Sequence, residues 1–316
     1  MISVVIPVFN KEKYISATLF SVWAQTYKNW ECIIVNDGST DSSLSTINDF
    51  IERHPNNWKV ITKNNSGQAD TRNIGISEAH GKYIAFLDAD DFWINTKLQE
   101  QLEVAVKGDF DVVLSDYLIF NESLKRFRLV RLRNVERDLF GWLKMKKFGA
   151  LPESSALFKR SVLQNLNGFN NLYTTSGGLD LMLRAYPKYK IALSKVLHVL
   201  YRINEGQWHT NIKELEIDLI QLQSANYSQK VRNLVTFHNI YLQLTSARKE
   251  VISKKNKVKI IRRLFQHPFV TLILVFSILI RNIKSFFYGN IISKKYKKSG
   301  RFNYLFYKSE ELDQQG

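Results

Sequence analysis

The chain begins with a β-rich apolar run, Ile2 to Val8, which reads as a buried strand closing at Pro7. Tyr14, Ile15, Leu19 and Val22 then recur at helical spacing. Trp30 to Val35 is a second buried strand, followed by the turn Asn36-Asp37-Gly38-Ser39; Ser39, Thr40 and Asp41 are good caps for the next helix. Lys59 to Thr62 makes a third, weaker strand. Gln68 to His80 reads as a helix stopped by Gly81, and Tyr83 to Leu87 as a fourth strand. Leu98, Leu102 and Ala105 share a helix face, and Asp111 to Ser115 is another strand.

Strands alternating with helices predict a largely parallel sheet covered on both faces. Ligands bind such sheets beyond the carboxyl ends of the strands. Three of those edges carry polar chemistry: Asn10 with Glu12, Asn36-Asp37, and Asp88-Ala89-Asp90-Asp91. After about residue 116 the pattern changes. Tyr117 to Phe120 and Phe127 to Leu132 resemble a hairpin around Asn121-Glu122. Asp138 to Lys147 reads as helix, Ser154 to Phe158 as strand, and Leu179 to Ala185 as helix. Ile212 to Gln223 and Val231 to Leu244 are amphipathic helices. The expected organisation is a catalytic unit over 1–210, with halves of about 1–115 and 116–210, and a helical region over 211–316.

Composition and charge sharpen the picture. The 316 residues are 45% hydrophobic and 23% charged, which fits a folded globular chain. The single cysteine, Cys32, lies in an apolar strand and excludes an internal disulfide or a cysteine-built zinc cage. The amino terminus lacks the basic and long apolar regions of a signal peptide. The net charge of +16 is concentrated at the other end, where Val251 to Ser309 contains no acidic residue and basic residues run from Lys254 to Arg301. Such a patch suits phosphates of nucleic acid or of an anionic membrane. No zinc-finger, RNA-recognition or helix-turn-helix pattern supports nucleic acid. Within the patch, Phe269 to Ile280 is apolar and as a helix spans about 18 Å. That is short of a bilayer core of about 30 Å. The segment is either a buried core helix or an in-plane membrane helix, and its basic flanks favour the membrane.

Asp88, Asp90 and Asp91 place three carboxylates in four residues at the end of a buried strand. Such a cluster either caps a solvated turn or holds a hard cation, Mg²⁺ or Mn²⁺, together with substrate phosphates. Neither GxGxxG nor a Walker A lysine is present, which argues against a dehydrogenase or P-loop ATPase.

Four ordered motifs resemble family 2 glycosyltransferases of the GT-A fold: Ser3 to Asn10, Val35 to Asp41, Gly67 to Gly75, and Ala85 to Asp91. The resemblance covers roughly residues 2–210. It implies an α/β, Rossmann-like mixed and mostly parallel sheet flanked by helices. It also implies inverting transfer of a sugar from a nucleotide diphosphate, expected to be a UDP-sugar, to a glycan or lipid-linked hydroxyl in bacterial surface-polysaccharide synthesis. The setting it suggests is the inner face of the cell membrane. By the same resemblance, Pro7, Asn10 and Glu12 would line the nucleotide pocket, Asp37 would pair with the base, and Arg72 would approach the base or diphosphate. Asp88 would face the ribose or metal, and Asp90 with Asp91 would hold the metal. Leu179-Asp180 falls where the family has Glu-Asp, which makes Asp180 the expected catalytic base. Tyr201-Arg202 resembles the family's Tyr-Arg pair, but Asn204 stands where many relatives have histidine; His209 is a substitute ligand or a structural histidine. A non-catalytic sugar-nucleotide binder is the competing reading, and the retained Asp90 and Asp180 count against it.

Overall fold

The structure is a computed structural model that describes residues 1–121, 126–133, 152–203, 218, 221 and 222. Its centre is a mixed sheet. β1 (Ile2–Val8), β2 (Trp30–Asn36), β3 (Trp58–Thr62) and β4 (Tyr83–Phe86) are parallel and ordered β3-β2-β1-β4. The strand order crosses at β1, so that the loops leaving β1, β2, β3 and β4 gather at one edge. β1, β2 and β4 are buried almost throughout. Their continuous apolar runs therefore reflect a sheet covered on both faces.

Helices α1 (Ile15–Trp23), α2 (Ser43–Arg53), α3 (Gln68–Ser77) and α4 (Lys97–Lys107) connect or flank these strands. α3 lies across β1 and β2. A Cβ on Gly75 would overlap the side chain of Val5, so the glycine is what lets helix and strand approach this closely. α3 ends at Ser77, three residues before the expected His80. Gly81 does not cap it. It packs against Ser3 at the opposite edge of the sheet from the acidic loops, where a side chain would strike the Ser3 backbone.

The second half departs from the expected parallel pattern. β5 (Phe92–Trp93) is short; β6 (Val112–Asn121) is long and pairs with β7 (Arg126–Val130). A 3₁₀ turn (Glu153–Ser155) leads into β8 (Ala156–Lys159), then α5 (Arg160–Asn165), α6 (Gly177–Ala185) and β9 (Ile191–Arg202). β8 inserts antiparallel between β4 and β6, β9 runs parallel to β6, and β5 runs antiparallel to β9. The sheet is thus parallel in β3-β2-β1-β4 and mixed beyond it. The strands expected at Asp111–Ser115 and Tyr117–Phe120 form one element, β6, with register irregularities between Leu114 and Tyr117. Asp218 and Leu222, beyond residue 210, are buried. The helices expected at 138–147 and 231–244, Asn204, the possible ligand His209, and the basic tail lie outside the described residues. Among the described residues no helix is long and apolar enough to cross a membrane.

At the edge remote from the acidic loops, Glu31 accepts hydrogen bonds from Ser3 Oγ (2.6 Å), His80 N (2.7 Å) and Gly81 N (3.2 Å). Burial raises its pKa, but the bonds from Ser3 and His80 outweigh this and leave it below the usual carboxylate range. A carboxylate depressed on folding adds stability that is fully present above the unfolded value of about 4.3 and is lost as pH falls through the folded value. Glu31→Gln should therefore lose stability less steeply than the wild type on acidification from about pH 5 to about pH 3. Urea midpoints measured across that range check this; parallel slopes would contradict it.

Candidate active site at the carboxyl edge of the sheet

The loops after β1 and β2 are stitched to each other. Asn10 has φ 51°, a left-handed conformation that asparagine tolerates. Its N–H donates to Ser39 Oγ (3.0 Å) and its Oδ1 accepts from Thr40 N (2.9 Å). Glu12 accepts from Ser42 N (2.9 Å) at the start of α2. Pro7 lies on β1 opposite Val35. Asn10 and Glu12, two of the residues expected to line a nucleotide pocket, hold the backbone of the loop after β2. Asp37 does the same for the next loop. Its carboxylate accepts from Ser66 N (2.9 Å), Gly67 N (3.0 Å) and Lys63 Nζ, which ties the segment before α3 to the end of β2.

The acidic residues after β4 separate into different environments. Asp88 accepts from the Arg72 guanidinium (2.6 Å), and its N–H donates to Ser154 Oγ (3.2 Å). Asp90 accepts from Lys11 Nζ (2.8 Å), while its main-chain carbonyl accepts from Arg202 Nε (3.0 Å). Asp91 turns inward, because its N–H closes a turn onto the Asp88 carbonyl (2.9 Å). Fully buried, its carboxylate accepts from Ser154 Oγ (2.8 Å) and Arg202 N (3.0 Å). Burial raises its pKa well above the usual range, and Asp90 and Asp88 raise it further. Asp91, expected beside Asp90 at a metal, is instead bonded to the strand ends that carry the loop. Among the described residues no group of three or more His, Cys, Asp or Glu side chains is arranged around one metal position. Asp88 and Asp90 still fit a hard cation of the Mg²⁺ or Mn²⁺ kind. Such ions take one or two carboxylates and complete their shell with substrate phosphates and water.

Arg72 joins this edge to a cleft formed with the second half of the chain. The cleft holds about 300 Å³, open solvent included, between Gln68, Arg72, Glu153, Phe169, Tyr173 and Gly177. The guanidinium is buried, lies 5.3 Å from the Phe169 ring centroid, and approaches Glu153 at 3.9 Å. Burial works against its charge, but Glu153 and Asp88 outweigh this and raise its pKa. Among the described residues its Nε has no hydrogen-bond partner.

Asp180, the expected base, is placed differently. It lies in the first turn of α6 with its side chain 2% exposed, paired with Arg184 at 2.6 Å. Arg184 in turn donates to the carbonyls of Leu166 and Gly168, so the pair fastens α6 to the preceding turn. Gly177 is the part of α6 that lines the cleft. Tyr201-Arg202 closes β9 beside the acidic loop. Arg202 holds the Asp90-Asp91 loop and stacks 4.7 to 4.8 Å from the ring centroids of Tyr14, Phe92 and Phe120. Glu153 and Lys11 were not singled out by their sequence, and Ser154 only as the start of a strand. Glu153 precedes its strand, β8, whereas Asp88 follows β4; because β8 runs antiparallel to β4, the two acids come to the same edge, and only the pairing direction reveals it.

Asp91→Ala would leave the Ser154 O–H and the Arg202 N–H without their acceptor in a dry interior, at a cost of about 2–4 kcal/mol. Denaturant unfolding should show a loss of that size, and a loss under about 0.5 kcal/mol, the range of an ordinary surface change, would contradict the assignment.

Residues 3–166 match the model of the family described as Glycosyl transferase family 2. Among curated proteins, the chain is 37% identical over 130 residues to an uncharacterized glycosyltransferase of Haemophilus influenzae, covering 41% of this chain and 52% of that one. It is 35% identical over 124 residues to the Escherichia coli protein WfgD, a UDP-Glc:alpha-D-GlcNAc-diphosphoundecaprenol beta-1,3-glucosyltransferase, covering 39% and 48%. It is 31% identical over 217 residues to the glycosyltransferase GlyA of Streptococcus pneumoniae, covering 65% and 31%. The chain therefore spans about half or less of the length of these relatives. Among solved structures, S. aureus TarS with UDP-GlcNAc superposes with a TM-score of 0.61 at 19% identity, over 83% of this chain and 79% of that one. A mannosyltransferase of Pyrobaculum calidifontis with GDP-Man and Mn²⁺ superposes with a TM-score of 0.58 at 16% identity, over 89% and 86%. Given a family match across more than half its length, and a mixed sheet with flanking helices like theirs, the chain belongs to glycosyl transferase family 2 and has a GT-A-like fold.

Proposed function

We propose that this glycosyltransferase transfers a sugar from a UDP-sugar, with inversion, to a hydroxyl of a glycan or lipid-linked acceptor used in surface polysaccharide synthesis. The observation that carries the reading is the meeting of Asp88, Asp90 and Arg72 at the carboxyl edge of β1 and β4, beside the loop held by Asp37. Similarity to WfgD and TarS supports a UDP-sugar, and similarity to WfgD supports a lipid-linked acceptor. A protein that only binds a sugar nucleotide is not favoured, because the acidic edge and the cleft beside it are both retained.

The residues suggest a division of labour. The Asp37 and Asn10 loops shape the nucleotide pocket. Arg72 Nε, a buried donor without a partner among the described residues, can meet a diphosphate oxygen. Asp90, together with Asp88, would hold Mg²⁺ or Mn²⁺, and Lys11 must release Asp90 for that to happen. When bound, the cation stabilises negative charge on the departing diphosphate. The acceptor hydroxyl attacks from the opposite face of the sugar and gives its proton to a carboxylate. No protein nucleophile is needed for such a single displacement.

The basic tail would hold the enzyme on an anionic membrane surface, where a lipid-linked acceptor resides. The support is the acid-free stretch from Val251 to Ser309, with the apolar segment Phe269 to Ile280 inside it.

Two outcomes test this. Asp90→Ala should bind UDP in Mn²⁺ at least about tenfold more weakly by calorimetry, a loss of ~1.4 kcal/mol or more. Equal wild-type affinity with and without Mn²⁺ would contradict the metal site. Separately, the full chain should sediment with anionic vesicles at low salt and leave them as salt rises. Loss of that binding on deletion of residues 251–316 is expected, and equal binding without the tail would contradict the membrane role.

A further inference from the structure

We infer that the carboxylate which accepts the acceptor's proton is Glu153, reaching in from the turn before β8, and that Asp180 is a positioning residue of α6. The inference rests on the glycosyl-transfer reading and specifies its base.

Three independent features converge on Glu153. The first is space. α6 begins Gly177-Gly178, and a Cβ on Gly178 would overlap Glu153 Oε1. The glycines clear room at the helix start, and the carboxylate of another segment fills it. The Gly178 N–H lies near enough to this carboxylate to favour its charged form. The second is placement. Glu153 lines the cleft with Arg72, Tyr173 and Gly177, and its side chain is 17% exposed, so a ligand in the cleft can reach it. The same Arg72 guanidinium binds Asp88 at 2.6 Å and approaches Glu153 at 3.9 Å. One rigid cation therefore spaces the donor-side carboxylate from the cleft-side carboxylate. The third is the lack of a competitor on α6, whose Asp180 is held by Arg184.

The charge environment agrees. Burial raises the pKa of Glu153 and Asp88 adds to this, while Arg72 and the Gly178 N–H oppose it; the net direction is upward. Tyr201 and Tyr173, both with pKa values raised by burial, stay neutral beside it. A carboxylate of raised pKa binds a proton more tightly than an ordinary one, which is what a general base requires. In the step, the acceptor O–H proton passes to a Glu153 oxygen as the acceptor oxygen bonds the anomeric carbon. The bond from that carbon to the diphosphate oxygen breaks, and its electron pair leaves with the nucleoside diphosphate. Asp218 supports the cleft wall by accepting from the N–H groups of Thr174, Thr175 and Ser176 (3.2, 2.7 and 2.8 Å).

The experiment uses the full chain, Mn²⁺ and a panel of UDP-sugars and GDP-Man. Release of nucleoside diphosphate, with water or added glycan as acceptor, is read beside UDP affinity by calorimetry. Glu153→Gln keeps the shape of the side chain. It should keep UDP affinity within about threefold and lose release by about 10²–10⁴-fold, the usual contribution of general base catalysis. Asp180→Asn, assayed per folded molecule, should stay within about tenfold of wild type, short of that range. Because a Cβ at 178 lands on the Glu153 carboxylate, Glu153→Ala combined with Gly178→Asp should recover at least about tenfold over Glu153→Ala alone; that is ~1.4 kcal/mol of barrier. Near-wild-type release by Glu153→Gln, or a loss of UDP affinity that matches its loss of release, would overturn the assignment. So would a full loss in Asp180→Asn with an unchanged thermal midpoint. A wild-type chain that binds UDP but releases nucleotide from no donor overturns the transfer reading and the base with it.

Discussion

The architecture of the site depends on one buried cation. Arg72 rises from α3 into the junction between the two halves of the chain, where burial alone would penalise its charge. Two carboxylates answer it, Asp88 from the end of β4 and Glu153 from the turn before β8. Those segments belong to different parts of the sheet and are joined by antiparallel pairing of β4 with β8. The guanidinium therefore both satisfies its own charge and sets the spacing of the acids around the cleft. A planar fork suits this double task better than a flexible ammonium.

Around that ion pair the loops use side chains chiefly to hold backbone. Asn10, Glu12 and Asp37 each accept main-chain N–H groups from a neighbouring loop. Asp91 and Ser154 link the acidic turn to β8 and β9, and Arg202 holds it from the other side through Asp90 O. Loops anchored this way hold their polar groups in place before a ligand arrives, so less binding energy is spent on ordering.

The first hundred residues were legible in the sequence because their strands are buried on both faces and their loops carry dense polar signals. Ile2–Val8, Trp30–Asn36 and Tyr83–Phe86 follow the apolar runs to within a residue. Gln68–Ser77 ends earlier than its pattern, because Gly81 answers to a tertiary contact with Ser3 and not to the helix. β9 was missed: Ile191–Arg202 mixes Ser194, Lys195 and His198 into its apolar positions, and no loop signal marks its bounds. His198 is nonetheless buried, with a pKa lowered to about 4 by burial despite its bond to Glu100. The identity of acidic site residues was easier to read than their direction. Asp90 and Asp91 are neighbours in sequence, yet one meets Lys11 and the other points into the core. Asp180 stands next to a position the family leads one to expect as acidic, but its i,i+4 partner Arg184 takes it. Side-chain direction at a helix start depends on packing that periodicity does not encode.

The central claim is that donor and acceptor meet across Arg72, with the diphosphate on the Asp88–Asp90 side and the sugar toward Glu153. A crystal structure of the full chain with a UDP-sugar and Mn²⁺ tests it most directly. The account predicts anomalous density for Mn²⁺ between Asp90 and the diphosphate, Lys11 displaced, and the anomeric carbon facing the cleft. Nucleotide bound away from this edge, or a sugar turned from the cleft with Lys11 still on Asp90, would contradict it.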